Sequence, residues 1–285
     1  MIPSGLFMER TVIVNSWFYQ LQNIKVDAVA KIKADIKVID YSRDGSHEGR
    51  FSLSEVDTMR GYPPGWVFGS KASHSIPLVL AYMSIGEAET YRWYWDKAWD
   101  FKKPYWMDKE NPNWGSNYKV RYWDQEWQGL IIQYLDRIID AGFDGVYLDI
   151  IDAFEYWETL GVENAEEQMV KFVRKISAHA SHRRPNFWVV PQNGERLLKN
   201  REYVSAINAI AKEDLLFGSE SDGQPNSLYE IKEAHSLLAY AKAHALPVLL
   251  VEYVNTKGQI KQVMNVAQIE GYVPLIARRL LDTEE

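Results

Sequence analysis

Short apolar runs alternate with longer stretches of helical period from one end of the chain to the other. The runs Thr11–Trp17, Ile36–Tyr41, Pro77–Ser84, Lys119–Trp123, Asp144–Asp149, Phe187–Pro191, Ile207–Glu213 and Pro247–Tyr253 are β-branched or aromatic, as buried parallel strands are. Between them, Gln125–Ala141 sets Trp127, Leu130, Ile131, Tyr134, Leu135 and Ile138 at i, i+3, i+4 spacing, and Gly142 follows as a stop. Met169, Phe172, Val173 and Ile176 mark another helix. Ser227-x-x-Glu230 reads as a capping box opening a third, and Ile260–Ala267 as the last. Strands alternating with helices predict an α/β fold, a (β/α)8 barrel occupying residues 1–285 as a single domain. An open dinucleotide-binding sheet is disfavoured, because no G-x-G-x-x-G follows the first strand. Tyr272–Ala277 resembles a ninth strand: either it caps the barrel floor, or Lys119–Trp123 is not a barrel member. Gly61–Gly69 reads as a loop.

The polar positions carry a second pattern. Most of the apolar runs end in a carboxylate or its amide: Asp40, Glu87, Asp124, Asp149, Asn193, Glu213 and Glu252. A strand buried on both faces has no place for an unpaired charge within its length. Acids that recur where strands run out predict one rim on which the strand ends meet at a pocket, as parallel barrels build their sites. Asp144 instead starts its strand, on the opposite rim.

Composition narrows the chemistry. A net charge of −7 argues against nucleic acid as the partner, since phosphate binding needs a basic face. With no cysteine there is no thiolate nucleophile or disulfide framework. No apolar run reaches the ~18 residues of a membrane span. The first ten residues lack the pattern of a secretory signal, so the compartment stays open. The six histidines, His47, His74, His179, His182, His235 and His244, make neither H-x-H nor H-E-x-x-H, and neither a metal nor a cofactor is expected. A serine-hydrolase elbow is missing too.

Carboxylates with aromatics remain. Aromatic residues make up 13% of the chain, with 11 Trp and 17 Tyr. Glycoside hydrolysis needs a protonated acid for the leaving oxygen and a carboxylate as nucleophile or base. Flat rings suit the apolar face of a sugar. Trp106 and Trp114, in a Pro/Asn/Gly-rich stretch, and Tyr41 and Tyr82, on the strands, are the aromatic candidates for sugar contact.

The motifs G-F-D-G-V-Y-L-D, W-F-Y-Q-L-Q, A-Y-M-S-I-G-E-A-E and Y-W-D-Q-E-W together make the chain resemble glycoside hydrolase family 114, from about Trp17 to Ala277. The segments G-E-A-E and P-Q-N-G are traits of its prokaryotic branch. The resemblance implies a (β/α)8 barrel, an endo-α-1,4-polygalactosaminidase-like activity on galactosamine polymers, and Asp149 and Glu213 as the catalytic carboxylates. A secreted location is compatible with it.

Strand position alone ranks the same pair. Their strands stand two steps apart, a backbone distance of roughly 10 Å that inward-leaning side chains can close to either a retaining or an inverting spacing. Glu213, the longer side chain, is expected as the acid and Asp149 as the nucleophile or base. Asp40, Glu87, Asn193 and Glu252 are expected to bind substrate. Asp124 joins them, with helix capping from Gln125 as its alternative. Two other functions compete: a carbohydrate-binding barrel without activity, and a carboxylate–Mg lyase or isomerase, disfavoured by the lack of a rim lysine. Lys212 neighbours Glu213 on a strand and so should point out of the barrel.

Overall fold

The computed structural model describes residues 13–61 and 77–282. In chain order its strands are β1 (Trp17–Gln20), β2 (Ile36–Asp40), β3 (Leu78–Ser84), β4 (Glu87–Glu89), β5 (Met107–Glu110), β6 (Asn117–Val120), β7 (Gly145–Asp149), β8 (Trp188–Pro191), β9 (Ile210–Glu213), β10 (Val248–Glu252) and β11 (Val273–Ile276). The helices are α1 (Val26–Lys31), α2 (Leu53–Arg60), α3 (Gln125–Asp140), α4 (Ala153–Thr159), α5 (Ala165–Arg183), α6 (Arg201–Val204), α7 (Leu228–Ala243) and α8 (Lys257–Glu270).

Eight of these strands run parallel in two ladders, β1-β2-β3-β7-β8 and β9-β10-β11. The ladders meet at a bridge between Gln192 and Ala211, where the Asn193 amide donates to the Ala211 carbonyl at 2.8 Å. At the other seam the Trp17 indole donates to the Val273 carbonyl at 3.0 Å, and the Leu21 amide to that of Leu281 at 2.8 Å. The result is a (β/α)8 barrel whose second seam is held by these contacts without a regular ladder.

The strand count is eight, but its membership differs from expectation. Tyr272–Ala277 supplies β11, the eighth barrel strand. Lys119–Trp123 does not belong to the barrel: its first residues fall in β6, the middle of an antiparallel sheet β4-β6-β5 inserted between β3 and α3. Short runs of strand composition read alike in both settings, so periodicity alone does not tell an insert from a barrel strand. The first strand begins at Trp17, later than expected, and Thr11 and Val12 lie outside the described residues, as do residues 62–69 of the expected loop. The helices follow their caps. Asp124 caps α3, Ser227 and Glu230 form the capping box of α7, and Thr256 and Gln259 form another on α8, three residues ahead of the expected start.

Two cores result from strand parity. Trp17, Tyr19, Ile36, Val38, Leu80 and Tyr147 pack inside the barrel, while Ile39, Val79, Ala81, Val146, Leu148 and Ile210 face the helices. At the N-terminal rim, Asp144 pairs with Arg60 and Arg184, each at 2.9 Å, and accepts the Val79 amide, fastening β7 to β3 and α2.

Candidate active site

The inward parity of each strand continues past the last apolar side chain to a polar one. Asp40 follows Val38 on β2, Tyr82 follows Leu80 on β3, and Asp149 follows Tyr147 on β7. Gln192 follows Val190 beyond β8, Glu213 follows Ala211 on β9, and Tyr253 follows Val251 beyond β10. All six line one cleft of about 510 Å³ at the C-terminal rim. The ring of Tyr19 lines its floor and packs, tilted by 44°, against that of Tyr147, 5.0 Å between centroids.

Three adjacent strands end in the same way. The residue after each inward polar group, Ile150 after Asp149, Asn193 after Gln192 and Asp214 after Glu213, has positive φ, at 58°, 59° and 52°. Asn and Asp enter this left-handed region readily, but a β-branched Ile there is strained by an amount of order 1–3 kcal/mol. Gly86, on the neighbouring turn, leaves room for this conformation, because a Cβ on it would lie 2.3 Å from the Ile150 carbonyl oxygen. The turns stop each strand at its inward group.

The hydrogen bonds then converge. Gln192 Nε2 donates to Asp149 Oδ1 at 3.0 Å and to Glu213 Oε1 at 2.9 Å. The Tyr147 hydroxyl donates to Gln192 Oε1 at 2.6 Å, which fixes the end of the amide that faces the acids. Asp149 Oδ2 accepts from the Tyr82 hydroxyl at 2.7 Å. Glu213 accepts from Asn193 Nδ2 at 3.0 Å and from the Tyr253 hydroxyl at 3.1 Å. Burial, and then the charge of Glu213, raise the Asp149 carboxyl above the ordinary range; burial, and then Asp214, raise Glu213. Two such groups share their protons as a pair. Burial also raises the Tyr19, Tyr82, Tyr147 and Tyr253 hydroxyls well above their usual value, so they stay neutral donors.

Across the cleft, Arg92 is buried against Asp40, with Nη1 2.8 Å from both carboxylate oxygens, and it also pairs with Glu89. The inserted sheet brings Glu87, held by Asn111 at 2.9 Å and Lys119 at 3.4 Å, together with Asn117 and the exposed Trp114 to the same cleft. Arg279, from beyond β11, closes the rim beside Asp214. Among the described residues, no group of three or more His, Cys, Asp or Glu is arranged to hold a metal ion.

Of the residues singled out in the sequence, Asp40, Tyr82, Glu87, Trp114, Asp149, Asn193 and Glu213 line the cleft. Four do not. Tyr41 and Glu252 are one residue out of phase: they share the parity of Ile39 and Leu250 and face the helix layer. Tyr41 packs edge-on against Tyr134, 5.5 Å between centroids, and Glu252 accepts the Leu216 and Phe217 amides at 2.7 and 3.3 Å. Asp124 is spent as the N-cap of α3, accepting the Glu126 amide at 2.8 Å. Trp106 is fully buried, with the rings of Trp99 and Trp127 each 5.1 Å away, and forms the core of the insert. Lys212 has the outward parity of Ile210 and pairs with Glu195 at 3.1 Å. Gln192, Tyr253, Arg92 and Arg279 went unnoticed. Counting every second residue past the apolar run would have found the first two; nothing local in the sequence marks the arginines.

Residues 9–284 match glycoside-hydrolase family GH114. An uncharacterized protein of Methanocaldococcus jannaschii is 38% identical over 94% of this chain and 77% of its own length. Another, from Thermotoga maritima, is 34% identical over all of this chain and 86% of its own. Among solved structures, the glycoside hydrolase domain of PelA from Pseudomonas aeruginosa superposes with a TM-score of 0.70 at 14% identity, covering 95% of this chain and 97% of that domain. Aspergillus fumigatus Ega3, solved in complex with galactosamine, gives 0.68 at 15% identity over 96% and 95%. At such identities these two speak for the barrel fold, and the family match speaks for the chemistry. The chain belongs to glycoside-hydrolase family GH114.

Proposed function

We propose that the chain hydrolyses an α-linked, galactosamine-type amino-sugar polymer with retention of configuration, using Asp149 and Glu213 as its two carboxylates. One observation carries this reading: both acids accept from the same nitrogen. With contacts of 3.0 and 2.9 Å to Gln192 Nε2, the two oxygens lie at most ~5.9 Å apart, and about 5 Å apart across the ~120° fork of a planar amide. Retaining glycosidases hold their carboxyl groups ≈ 5–5.5 Å apart, whereas inverting ones need ≈ 6.5–9.5 Å to admit a water.

In such a site one carboxylate attacks the anomeric carbon while the other gives its proton to the departing glycosidic oxygen. Water, deprotonated by the second group, then releases the sugar and restores both acids. Trp114 supplies an exposed ring at the cleft for a sugar face. The galactosamine bound to Ega3 and the family match support an amino sugar as substrate.

Digestion of α-1,4-polygalactosamine, followed by NMR of the first products, tests the proposal. The α-anomer should appear first, at a rate a chelator leaves unchanged. Initial β-anomer would overturn retention. Oligomers that bind and are never cut would make the chain a binding module.

A further inference from the structure

Among the described residues, the hydrogen bonds of the Gln192 side chain all go to the carboxylate pair and Tyr147: its nitrogen meets Asp149 and Glu213, and its oxygen meets the Tyr147 hydroxyl. Its side chain is almost wholly buried. We propose that Gln192 is a positioning residue for the glycosidase reaction, fixing the spacing of the two carboxylates and stabilising the single negative charge they share, with Tyr147 as the group that orients its amide. The role rests on the proposed two-carboxylate reaction.

Three features make a primary amide the side chain that fits. An –NH2 has two donors that diverge from one planar nitrogen, so one group reaches both acids and sets their separation at the same time. Donation to a carboxylate stabilises its charged form, which offsets part of the desolvation that pushes both acids upward. The amide keeps this orientation because Tyr147 is buried beneath it and its hydroxyl is held neutral, so the oxygen already has a donor and the nitrogen must face the acids. A glutamate at 192 would put a third carboxyl on the pair. An asparagine is a methylene too short to touch both.

The test pairs Gln192→Met, which keeps the length and removes both donors, with Tyr147→Phe, which leaves Gln192 in place but frees its amide to turn. Turnover is measured against pH on polygalactosamine, and the carboxyl protons are titrated by 13C NMR without substrate. Gln192→Met should lower kcat about 10–100-fold with KM changed less than about threefold, and should move the acidic limb of the profile upward by about one pH unit. Tyr147→Phe should shift both in the same direction by less. A purely structural glutamine would lower stability and leave the limb where it is, and that result would overturn the proposal. The titration needs no turnover. If the carboxyl pKa values rise in Gln192→Met while no protein cleaves the polymer, the hydrolase reading fails, and what stands is the hold of the Gln192 amide on the two carboxylates. Normal cleavage with an unmoved titration does the reverse.

Discussion

Arg279 and Tyr253 are stacked, with the guanidinium carbon 4.3 Å from the centre of the ring. The same guanidinium holds Asp214 through two contacts of 2.9 Å, and the Tyr253 hydroxyl donates to Glu213 at 3.1 Å. A residue from beyond the last barrel strand therefore fixes two neighbours of one proposed catalytic acid. It also neutralises the charge that, after burial, does most to raise that acid.

Arg279→Ala should accordingly raise the pKa of Glu213 and leave its partner Tyr253 free to swing. The expected outcome is a loss in kcat of about tenfold and an upward move of whichever pH limb belongs to Glu213. Arg279→Lys keeps the charge and loses the planar fork, so it should restore the limb but not the full rate. A profile unchanged in the alanine variant would reduce Arg279 to a tie between segments.

Arg92 is a different kind of cation, 4% exposed and placed between Asp40 and Glu89, which are buried as well. Removing it in Arg92→Met leaves two uncompensated charges, a loss of about 3–5 kcal/mol for a buried pair. Denaturant titration reads this directly, and a loss below about 1 kcal/mol would mean that water replaces the guanidinium. The pairing has a second consequence. Asp40 with Arg92, and Glu87 with Lys119, leave little free charge on that wall of the cleft. Affinity for deacetylated and acetylated oligomers should then respond almost equally to salt, contrary to what a rim of bare acids would give.

Glu252 offers a pH test away from the reaction. Burial pushes its carboxyl from 4.5 to about 7, against the pull of the Leu216 and Phe217 amides. A raised acid binds its proton more tightly when folded, so its stabilising effect is whole below about 4.5 and is lost as pH rises through 7. A shift of this size is worth up to about 3 kcal/mol. Glu252→Gln stays neutral at every pH, so subtracting its stability curve from that of the native protein should give a difference that declines between pH 4.5 and 7 and then flattens. A flat difference throughout would show that Glu252 titrates normally.

The barrel class was readable because eight short apolar runs and their helices carry it redundantly, and a single misplaced strand did not change the class. The misplacement has a physical source. Lys119–Trp123 and Tyr272–Ala277 are both short runs holding β-branched and aromatic residues, and pairing partners far along the chain decide which enters the barrel. The acids were legible as a rim, but their direction was not. Glu252 ends its strand as conspicuously as Glu213 does, yet sits one position out of phase with Leu249 and Val251 and faces the helices. Side chains alternate, so the last polar residue of a strand is not always the inward one. Gln192 escaped for the same reason, masked by Asn193 next to it.

The division of labour within the carboxylate pair is the sharpest remaining test. Reach assigns the proton donor to Glu213, one methylene longer, with Asp149 held by Tyr82 and Gln192 as the nucleophile. The resting donors lean the other way: Glu213 accepts from three side chains and Asp149 from two, which favours the charge on Glu213. On polygalactosamine, Asp149→Asn and Glu213→Gln should each lower kcat at least 10²–10⁴-fold with cooperative unfolding retained. An aryl glycoside whose leaving group needs no proton separates the roles. With Glu213 as the acid, Glu213→Gln should form the glycosyl-enzyme at nearly the native rate and lose the basic limb of its pH profile, while Asp149→Asn stays inactive. Rescue of Asp149→Asn in place of Glu213→Gln would reverse the assignment, and rescue of neither would place the leaving-group proton on a third residue.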